Sequence, residues 1–393
     1  MKRVAILGGG PAGAVTAERL ASSGLRTIVI DEKLAWEKPC GGGITYKAYS
    51  KYPYLIENAT PKRVVTETYL STSSTGSARL NLTKPLLIYS RLELNGMLLK
   101  RAEAAGAEIE KARVLEIERR SKGWALKTKS GIIDADYCVI ATGARNPLRD
   151  VGTRLGVHDS MVALGYYVPS EQEHIDIQFF RGFEGYIWVF PRHGHLSVGI
   201  CGKGESAQAM RARLERYMNE RGIAIKGSKF YGHVIPSLER PAWRDNRVAG
   251  DGWMAVGDAA GLVDPITGEG LYYAIRSGDL AADVILGDAH PLSELAQAYR
   301  ATLQRDFTED LELASRIAKR IFLGRFLLGT VPERMIQFMR RSPTFCELLQ
   351  DVFAGTQNYL DLKARLLKNL NGTFHEALMN VCLRRLVPGT SRV

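Results

Sequence analysis

A glycine-rich turn between two short apolar segments places the strongest constraint on how this chain folds. Residues 4–7 (VAIL) form a β-branched apolar run typical of a buried parallel strand. The turn that follows has the spacing G-x-G-x-x-G, formed by Gly8, Gly10 and Gly13. A helix pattern comes next, and a second apolar run covers residues 27–30. This strand–turn–helix–strand order predicts a dinucleotide-binding unit at the start of the chain.

Each residue of this unit has a physical role. Gly8 permits the tight turn, Gly10 lets the backbone approach a pyrophosphate, and Gly13 lets the helix pack closely on the strand. The N-terminus of the helix directs N–H groups at the phosphates. Asp31, at the end of the second strand, is placed to accept a hydrogen bond from a ribose hydroxyl. Glu32 is its neighbour and is expected to point to the other face.

Two later segments have the form of buried strands that end in glycine. "YCVIATG" ends in Ala141-Thr142-Gly143, and "GWMAVGD" ends in Gly257-Asp258. A loop with Pro265, Gly268 and Gly270 follows the second segment, and a helix is predicted over residues 271–286. The G-x-G-x-x-G turn alone leaves NAD and FAD open as the dinucleotide.

These segments together resemble the flavoprotein oxidoreductases related to p-hydroxybenzoate hydroxylase. The resemblance implies that FAD is the cofactor and that Asp258 binds its ribityl chain. It also implies that the Gly268–Gly270 turn and the next helix N-terminus face the pyrimidine edge of the flavin, where a helix dipole stabilises negative charge. "SRLELNGMLLKRAEAAGAEI" is similar to the family's helix that begins with an arginine, which implies that Arg91 lies beside the cofactor.

Three stretches narrow the resemblance. "PCGGG" (39–43), "YIWVFP" (186–191) and "GDAAGLVDPITGEGLYYA" (257–274) together resemble the geranylgeranyl reductase family, whose members hydrogenate isolated double bonds of isoprenoid chains. The resemblance implies that the aromatic strand lines a substrate cavity beside the flavin. Its alternation puts three aromatic side chains on one face. The expected substrate pocket consists of Tyr186, Trp188, Phe190 and Pro191.

The residues expected to contact FAD come from the glycine turn, the second strand, the cysteine loop, the arginine helix and the two later strand ends. They are Gly8, Gly10, Pro11, Ala12, Gly13, Asp31, Glu32, Cys40, Gly41, Gly42, Gly43, Arg91, Ala141, Thr142, Gly143, Gly257, Asp258, Pro265, Gly268, Glu269, Gly270 and Leu271.

Cys40 is the candidate catalytic residue. The five cysteines (40, 138, 201, 346 and 382) lack metal-site or disulfide spacing, which favours a reducing compartment. The glycines at 41–43 would let backbone approach the flavin without a Cβ in the way. If "ITYKAYSK" opens a helix, Cys40 would lie near its N-terminus and be a more acidic thiol. It would then act as the proton donor, or it would only shape the pocket.

The predicted fold class is α/β with an added antiparallel sheet. Segments 1–60, 85–150 and 248–290 would form a discontinuous Rossmann-type FAD-binding domain. Segments 61–84 and 151–247 would form an inserted antiparallel sheet that binds substrate, and 291–393 a C-terminal helical region. His193 and His195 fall in a predicted hairpin turn, so a solvated turn is favoured and no metal site is predicted.

Composition bears on partners and location. The formal net charge of +11 favours an anionic partner, but the chain shows no nucleic-acid signature. No stretch approaches the ~20 apolar residues of a membrane span, and glycines interrupt the apolar N-terminal run, so a cytoplasmic protein is expected.

Residues 313–341 interleave arginines with apolar residues. This pattern fits a helical domain packed on the rest, or a basic surface lying on the inner face of an anionic membrane.

The expected function is therefore FAD-dependent reduction of prenyl double bonds on a lipid, quinone or pigment precursor, with an apolar isoprenoid as substrate. The alternative is a flavin-dependent halogenase or monooxygenase. Halogenases carry W-x-W-x-I-P, whereas this chain has Tyr186 in place of the first Trp and Phe190 in place of the Ile, which favours the reductase.

Ala144 and Arg145 stand where related hydroxylases carry an Asp-Gly pair that is associated with NADPH use. NAD(P)H and a ferredoxin-like donor therefore both stay open as the external reductant.

Overall fold

The computed structural model describes residues 3–148, 150–287, 293–326 and 328–368 of the 393-residue chain. Several residues named from the sequence lie outside these ranges. They are Arg149, Leu327, Cys382 and, from the predicted C-terminal region, 291–292 and 369–393. Strands and helices are numbered below in chain order.

A six-stranded sheet carries the glycine turn. Its strands, in spatial order, are β16 (Ala249–Gly250), β17 (Trp253–Ala255), β10 (Tyr137–Ile140), β1 (Arg3–Leu7), β2 (Arg26–Ile30) and β6 (Glu108–Glu110). All neighbours are parallel except β16 and β17. The central strands are apolar along nearly their whole length because they are buried under the elements that pack on the sheet. Both predicted strands of the dinucleotide unit are confirmed.

Helices pack against this sheet, and the small sheet of residues 116–135 joins the same core. The helices are α1 (Pro11–Ser22), α3 (Arg91–Ala104), α6 (Leu271–Leu286) and α7 (Leu295–Leu303). Helix α6 has the bounds predicted from the sequence. It crosses α1 closely, and Thr16 donates a hydrogen bond to the carbonyl of Gly278 at 3.1 Å. The glycine turn and the segment after Asp258 are thereby joined although they lie far apart in the chain.

A second, eight-stranded sheet lies beside the first. Its spatial order is β15 (Lys229–Pro236), β11 (Ser160–Val168), β14 (His195–Lys203), β13 (Glu184–Arg192), β12 (Ile175–Phe179), β4 (Lys62–Thr72), β5 (Gly76–Tyr89) and β3 (Gly43–Ile44). The predicted hairpin and antiparallel strands are present. Two details were wrong: β4 and β12 pair in parallel, and β5 continues past the expected boundary at residue 84 to Tyr89.

The two faces of this sheet have different neighbours. Helix α4 (Ala207–Glu220) packs on one face, against Ile187 and Val189. The opposite face is covered by helices from the C-terminal part, whose Ile336 and Leu349 lie in one core with Trp188. These helices are α8 (Glu309–Leu323), α9 (Val331–Met339) and α10 (Pro343–Ala354). Residues 313–341 were predicted either to pack on the rest of the protein or to lie on a membrane. The apolar face of these helices packs on the eight-stranded sheet.

The remaining described elements are small. They are the three-stranded sheet β7 (Glu116–Arg119), β8 (Trp124–Thr128) and β9 (Gly131–Ala135), the hairpin β18 (Arg325–Phe326) and β19 (Gly329–Thr330), the helices α2 (Tyr46–Lys51) and α5 (Arg240–Arg244), and helical residues 359–368. Within the described ranges, no helix is both long enough and apolar enough to cross a membrane.

The close crossing of α1 and α6 generates a stability prediction. A Cβ on Gly278 would lie 2.4 Å from the carbonyl oxygen of Ala12, whereas a Cβ on Gly96, inside α3, would meet only Ala35 at 3.7 Å. Gly278→Ala is expected to lower the free energy of unfolding by about 1–3 kcal/mol through overpacking. Gly96→Ala, the matched control, should raise it by up to ~1 kcal/mol because alanine is the better helix former. Urea unfolding of both variants measures this, and equal effects would contradict the crossing.

Candidate active site

A single cavity of about 1140 Å³ runs between the two sheets and contains most of the residues named from the sequence. It has two chemically different parts. The nucleotide half is bordered by the ends of β1, β2 and β10 and includes Gly8, Asp31, Arg91, Thr142 and Asp258. The apolar half is bordered by the eight-stranded sheet and α8–α10 and includes Leu70, Phe179, Trp188, Phe190, Phe322, Met335 and Leu349.

The glycine turn has the geometry that a dinucleotide requires. Gly8 has a φ of 118°, and a Cβ there would lie 2.2 Å from the carbonyl oxygen of Ala141. A Cβ on Gly13 would lie 2.0 Å from the carbonyl oxygen of Gly8, so Gly13 serves packing and does not line the cavity. At Gly10 a Cβ would meet no atom within 4 Å, so the backbone there borders open space that a pyrophosphate can fill.

The start of α1 provides donors at the same place. The first hydrogen bond of the helix runs from the N–H of Ala14 to the carbonyl of Gly10 at 2.9 Å. The preceding N–H groups, those of Ala12 and Gly13, are therefore left for a ligand, as in other anion-binding helix ends. Pro11 occupies the first helical position, where its missing N–H costs nothing.

Asp31 and Glu32 both line the cavity. The Asp31 carboxylate accepts from the N–H of Gly9 at 2.7 Å and from the N–H groups of Lys33 and Leu34, also at 2.7 Å. It therefore fixes the glycine turn as well as facing the ribose position. The Glu32 carboxylate lies 3.6 Å from the Arg113 guanidinium. Strand alternation predicted that Glu32 would point away from the cavity, and this was wrong because β2 already ends at Ile30.

Asp258 has a partner that the sequence did not indicate. Lys38 Nζ donates to Asp258 Oδ2 at 2.9 Å, and both side chains are largely buried. Burial alone would raise the pKa of Asp258, but Lys38, together with His233 and Arg91, holds the pKa below its ordinary value. His233 lies close by with its Nε2 buried and without a protein partner, and burial lowers its pKa. An unpaired ring nitrogen at this position is a polar contact that a bound cofactor can satisfy.

Arg91 begins α3 and is buried at the cavity wall, as the resemblance implied. Its guanidinium donates to Asn95 Oδ1 at 3.2 and 3.3 Å, one turn further along the helix. This contact holds the cation in place without neutralising it. Arg91 can therefore offer its charge to the cofactor.

The cysteine loop lies where the two halves meet, but its glycines serve the protein's own packing. A Cβ on Gly41 would lie 3.2 Å from the ring of Phe190. Gly42 has a φ of 89°, and a Cβ there would lie 2.0 Å from the carbonyl oxygen of Tyr89. Gly42 is therefore required for the loop to pass Tyr89 on β5. All three glycines line the cavity, and that they let the backbone approach the flavin stays a prediction.

Cys40 does not lie at a helix N-terminus. Helix α2 begins only at Tyr46, and the short strand β3 intervenes, so the expectation of a helix-activated thiol was wrong. The Sγ accepts from the N–H of Gly42 at 3.3 Å, while the carbonyl oxygen accepts from Ser197 Oγ at 3.0 Å. Cys40 lines the cavity, and its role as proton donor stays a prediction.

A fully buried arginine, which sequence reasoning missed, holds this loop. The guanidinium of Arg192, the last residue of β13, donates to the carboxylate of Glu37 and to the carbonyls of Cys40 and Gly41. Glu37 also accepts from the Ser90 hydroxyl and from the first N–H groups of α3. Burial would raise the pKa of Glu37, but Arg192 and these donors together lower it. No local sequence pattern predicts an ion pair between two residues that lie 155 positions apart.

The aromatic strand faces the cavity as predicted. Tyr186, Trp188 and Phe190 line it, whereas Ile187 and Val189 point into the core under α4. The Tyr186 ring lies nearly parallel to that of Phe322, with centroids 6.4 Å apart and an interplanar angle of 18°. Pro191, expected in the pocket, is buried outside the cavity lining because it points away on the same side as Val189.

The loop before α6 brings carboxyl groups to the edge of the apolar half. Glu269 accepts from Thr45 Oγ1 at 3.3 Å, and Asp264 accepts from Tyr359 Oη at 2.8 Å. Burial raises the pKa of Glu269 to about 7, and the neighbouring Asp264 contributes, while Lys47 acts in the opposite direction. Of the other residues predicted in this loop, Gly268, Gly270 and Leu271 line the cavity.

Two predicted contacts fall elsewhere. Pro265 borders a separate small hollow with Glu184 and Lys203, because the turn at Asp264 directs it away from the cavity. His193 occupies an exposed turn as expected, but His195 begins β14, is half-buried and packs its ring edge-on against Tyr167. His195 is therefore part of the sheet rather than of a solvated turn.

The contacts of Arg192 generate a prediction. Arg192→Met should lower the free energy of unfolding by about 3–5 kcal/mol, because the Glu37 carboxylate loses its cationic partner and the carbonyls of Cys40 and Gly41 each lose a donor. The double variant Glu37→Gln, Arg192→Met should be less destabilised than the sum of the single changes. Urea unfolding and FAD titration of the four proteins test the coupling. Strict additivity would show that the pair does not act as a unit.

Comparison with known proteins agrees with this geometry. Residues 2–167 match the pyridine nucleotide-disulphide oxidoreductase family, and residues 91–283 match the FAD dependent oxidoreductase family. The first match includes β1, β2 and β10, and the second includes β10 and the segment around Asp258. The cofactor of this site is FAD.

Curated relatives include reductases from plants and bacteria. A chloroplastic geranylgeranyl diphosphate reductase of Arabidopsis thaliana is 29% identical over 72% of this chain, which spans 65% of that protein. A menaquinone reductase of Mycobacterium tuberculosis is 27% identical over 84% of this chain and 87% of its own length.

Solved structures share the fold. A geranylgeranyl bacteriochlorophyll reductase-like protein from Thermoplasma acidophilum superposes with a TM-score of 0.76 at 21% identity, over 94% of this chain and 99% of its own. A flavin-dependent brominase superposes less well, with a TM-score of 0.67 at 17% identity over 90% of this chain and 93% of its own. The motifs, the cavity and these matches together identify the chain as a geranylgeranyl reductase-like FAD-dependent oxidoreductase.

Proposed function

We propose that this protein hydrogenates carbon–carbon double bonds of a prenyl chain. The observation that carries the proposal is the continuity of the nucleotide half with an aromatic and aliphatic half in one cavity. A polyprenyl chain gains about 25 cal/mol for each Å² removed from water, and the apolar half offers it walls from both the sheet and α8–α10. Relatives named as reductases of geranylgeranyl diphosphate and menaquinone support the same reaction class.

The chemistry requires a hydride and a proton. When bound and reduced by an external donor, FAD supplies the hydride for one alkene carbon and is reoxidised. The protein's part is to orient the alkene, exclude water and deliver a proton to the second carbon. Tyr186, Trp188 and Phe190 form the wall that would orient the chain, and Phe190 lies against the cysteine loop, at the junction with the nucleotide half.

The direct test uses the FAD-loaded protein under anaerobic conditions. After reduction by dithionite, it should add pairs of hydrogens to detergent-solubilised geranylgeraniol or a geranylgeranyl quinone, as read by mass spectrometry. Met335→Trp should fill the apolar half, in which Met335 lies, and abolish this reaction while leaving the flavin spectrum unchanged. No hydrogen addition to any prenyl compound would overturn the proposal. Incorporation of halide or hydroxyl under oxygen would instead support the brominase-like or monooxygenase alternative.

We further propose Glu269 as the proton donor, with Cys40 as the competing candidate. A general acid works best when its pKa lies near the working pH, and Glu269 faces the cavity with a pKa of about 7. The charged and titratable groups beside it are Asp264 and Lys47, with Tyr272 donating its backbone N–H.

This assignment predicts a pH dependence. The acid form of Glu269 is lost as pH rises through about 7, so hydrogenation by the pre-reduced enzyme should slow by more than about tenfold between about pH 6 and 8.5. Glu269→Gln should lower the rate by about 10²-fold or more and remove this slope. Cys40→Ser should retain the wild-type profile. The reverse pattern, with loss in Cys40→Ser and a normal slope in Glu269→Gln, would assign the proton to the thiol.

A further inference from the structure

Asp264 organises the loop that carries Glu269, which consists of residues 264–270 (the acid loop). The Asp264 carboxylate accepts from the N–H groups of Ile266 and Thr267 at 2.8 and 3.1 Å. The backbone N–H of Asp264 donates to the carbonyl of Glu269 at 2.9 Å. These bonds close the loop on itself, so the position of Glu269 depends on Asp264.

Two tyrosines from distant parts of the chain reach the acid loop. Tyr186 of the aromatic strand donates its hydroxyl to the carbonyl of Thr267. Tyr359, the first of the helical residues 359–368, donates its hydroxyl to the Asp264 carboxylate at 2.8 Å. Tyr359 is 6% exposed and Asp264 is 5% exposed, so water is largely kept from this hydrogen bond. The C-terminal part of the protein is therefore fastened directly to the acid loop.

The charge on Asp264 affects the protonation of Glu269. Burial raises the pKa of Glu269 to about 7, and the nearby Asp264 carboxylate adds to this effect because two like charges repel. Burial also raises the pKa of Asp264, but the Tyr359 hydroxyl and the two N–H groups stabilise its ionised form and act in the opposite direction. Without the hydroxyl, Asp264 would be protonated up to a higher pH. The repulsion would then weaken, and the pKa of Glu269 would fall.

Other titratable groups face the two carboxyl groups from neighbouring elements. They are Lys47 on α2, Tyr186 on β13, Tyr272 and Tyr273 on α6, and Asp310 on α8. Burial raises the pKa of each of these tyrosines, so they stay neutral while Glu269 titrates. Asp310 accepts from the N–H of Leu360 at 2.9 Å. Asp264 is thus the carboxyl group that both receives the Tyr359 hydroxyl and acts on Glu269.

We propose that Tyr359 is a positioning residue that fastens the C-terminal segment to the acid loop and, through Asp264, keeps Glu269 in its acid form near neutral pH. This inference rests on the proposed function and on Glu269 as the proton donor. Tyr359 belongs to a segment whose Gly355 and Gln357 also line the cavity. The same segment therefore encloses the substrate cavity and prepares the acid.

A spectroscopic test needs neither substrate nor reductant. In the full-length, FAD-loaded protein, infrared difference spectroscopy follows the carbonyl stretch of protonated Glu269, which Glu269→Gln identifies by its absence. The band should titrate at about 7 in the wild type. Asp264→Asn should lower this midpoint by about 1 pH unit because it removes the charge. Tyr359→Phe should shift it in the same direction.

Two further variants serve as controls. Tyr273→Phe removes a hydroxyl beside the same carboxyl groups that donates to neither of them, and it should leave the midpoint unchanged. The double variant Tyr359→Phe, Asp264→Asn should titrate like Asp264→Asn alone, because Tyr359 acts through Asp264. An unchanged flavin spectrum and FAD affinity show that each variant is folded.

The activity test uses the dithionite-reduced protein and detergent-solubilised geranylgeraniol. The measured quantity is the ratio of the hydrogenation rate at about pH 8 to that at about pH 6. This ratio should fall severalfold in Tyr359→Phe, because less of Glu269 keeps its proton at the higher pH. A loss of activity by the same factor at both pH values would indicate a structural role only and would contradict the inference.

The two measurements separate the inference from the proposed function. An unshifted infrared midpoint in Tyr359→Phe, or an equal shift in Tyr273→Phe, overturns the inference and leaves the reductase function standing. A shifted midpoint with an unchanged rate ratio shows that Glu269 is not the proton donor and overturns the catalytic role of Tyr359. Failure of the wild type to reduce any prenyl compound overturns the function, whereas the infrared midpoints still decide whether Tyr359 acts on Glu269.

Discussion

The ion pair between Glu37 and Arg192 fixes the relation between the two parts of the molecule. Glu37 belongs to the loop after the nucleotide strands and caps α3, whereas Arg192 ends the aromatic strand of the other sheet. With both partners present, the backbone carbonyls of Cys40 and Gly41 are also satisfied. A buried charge pair contributes little net stability compared with apolar packing, so its value here is geometric. It sets where the aromatic wall stands relative to the flavin site.

The cavity joins two environments that would be incompatible in a smaller site. Backbone N–H groups and cations suit the diphosphate and ribityl chain of FAD at one end, while aromatic and aliphatic side chains line the other. A hydrocarbon chain in the apolar half would displace water from the junction, and the lower dielectric would strengthen every charged contact there. The Lys38–Asp258 pair lies on the nucleotide side of this junction, and Glu269 lies on the apolar side.

Local signals in the sequence were enough to predict the nucleotide half. The bounds of α6 and the strands around the glycine turn follow from apolar periodicity and glycine positions, which depend only on neighbours in the chain. Lys38 and Arg192 were missed because their partners, Asp258 and Glu37, lie far away in the sequence, and His233 was missed because only the fold brings it to the cavity. The environment of Cys40 was misjudged for a related reason: a two-residue strand, β3, pairs with β5 and delays the helix to Tyr46.

The two family matches include the residues that line the nucleotide half but not all of those that line the apolar half. The family matches extend over residues 2–167 and 91–283, and so include the nucleotide half and the aromatic strand. Neither match reaches α8–α10, which contribute Phe322, Met335 and Leu349 to the apolar half. The flavin site is therefore built from the part that the family models share, whereas the shape of the apolar half also depends on the C-terminal helices beyond it.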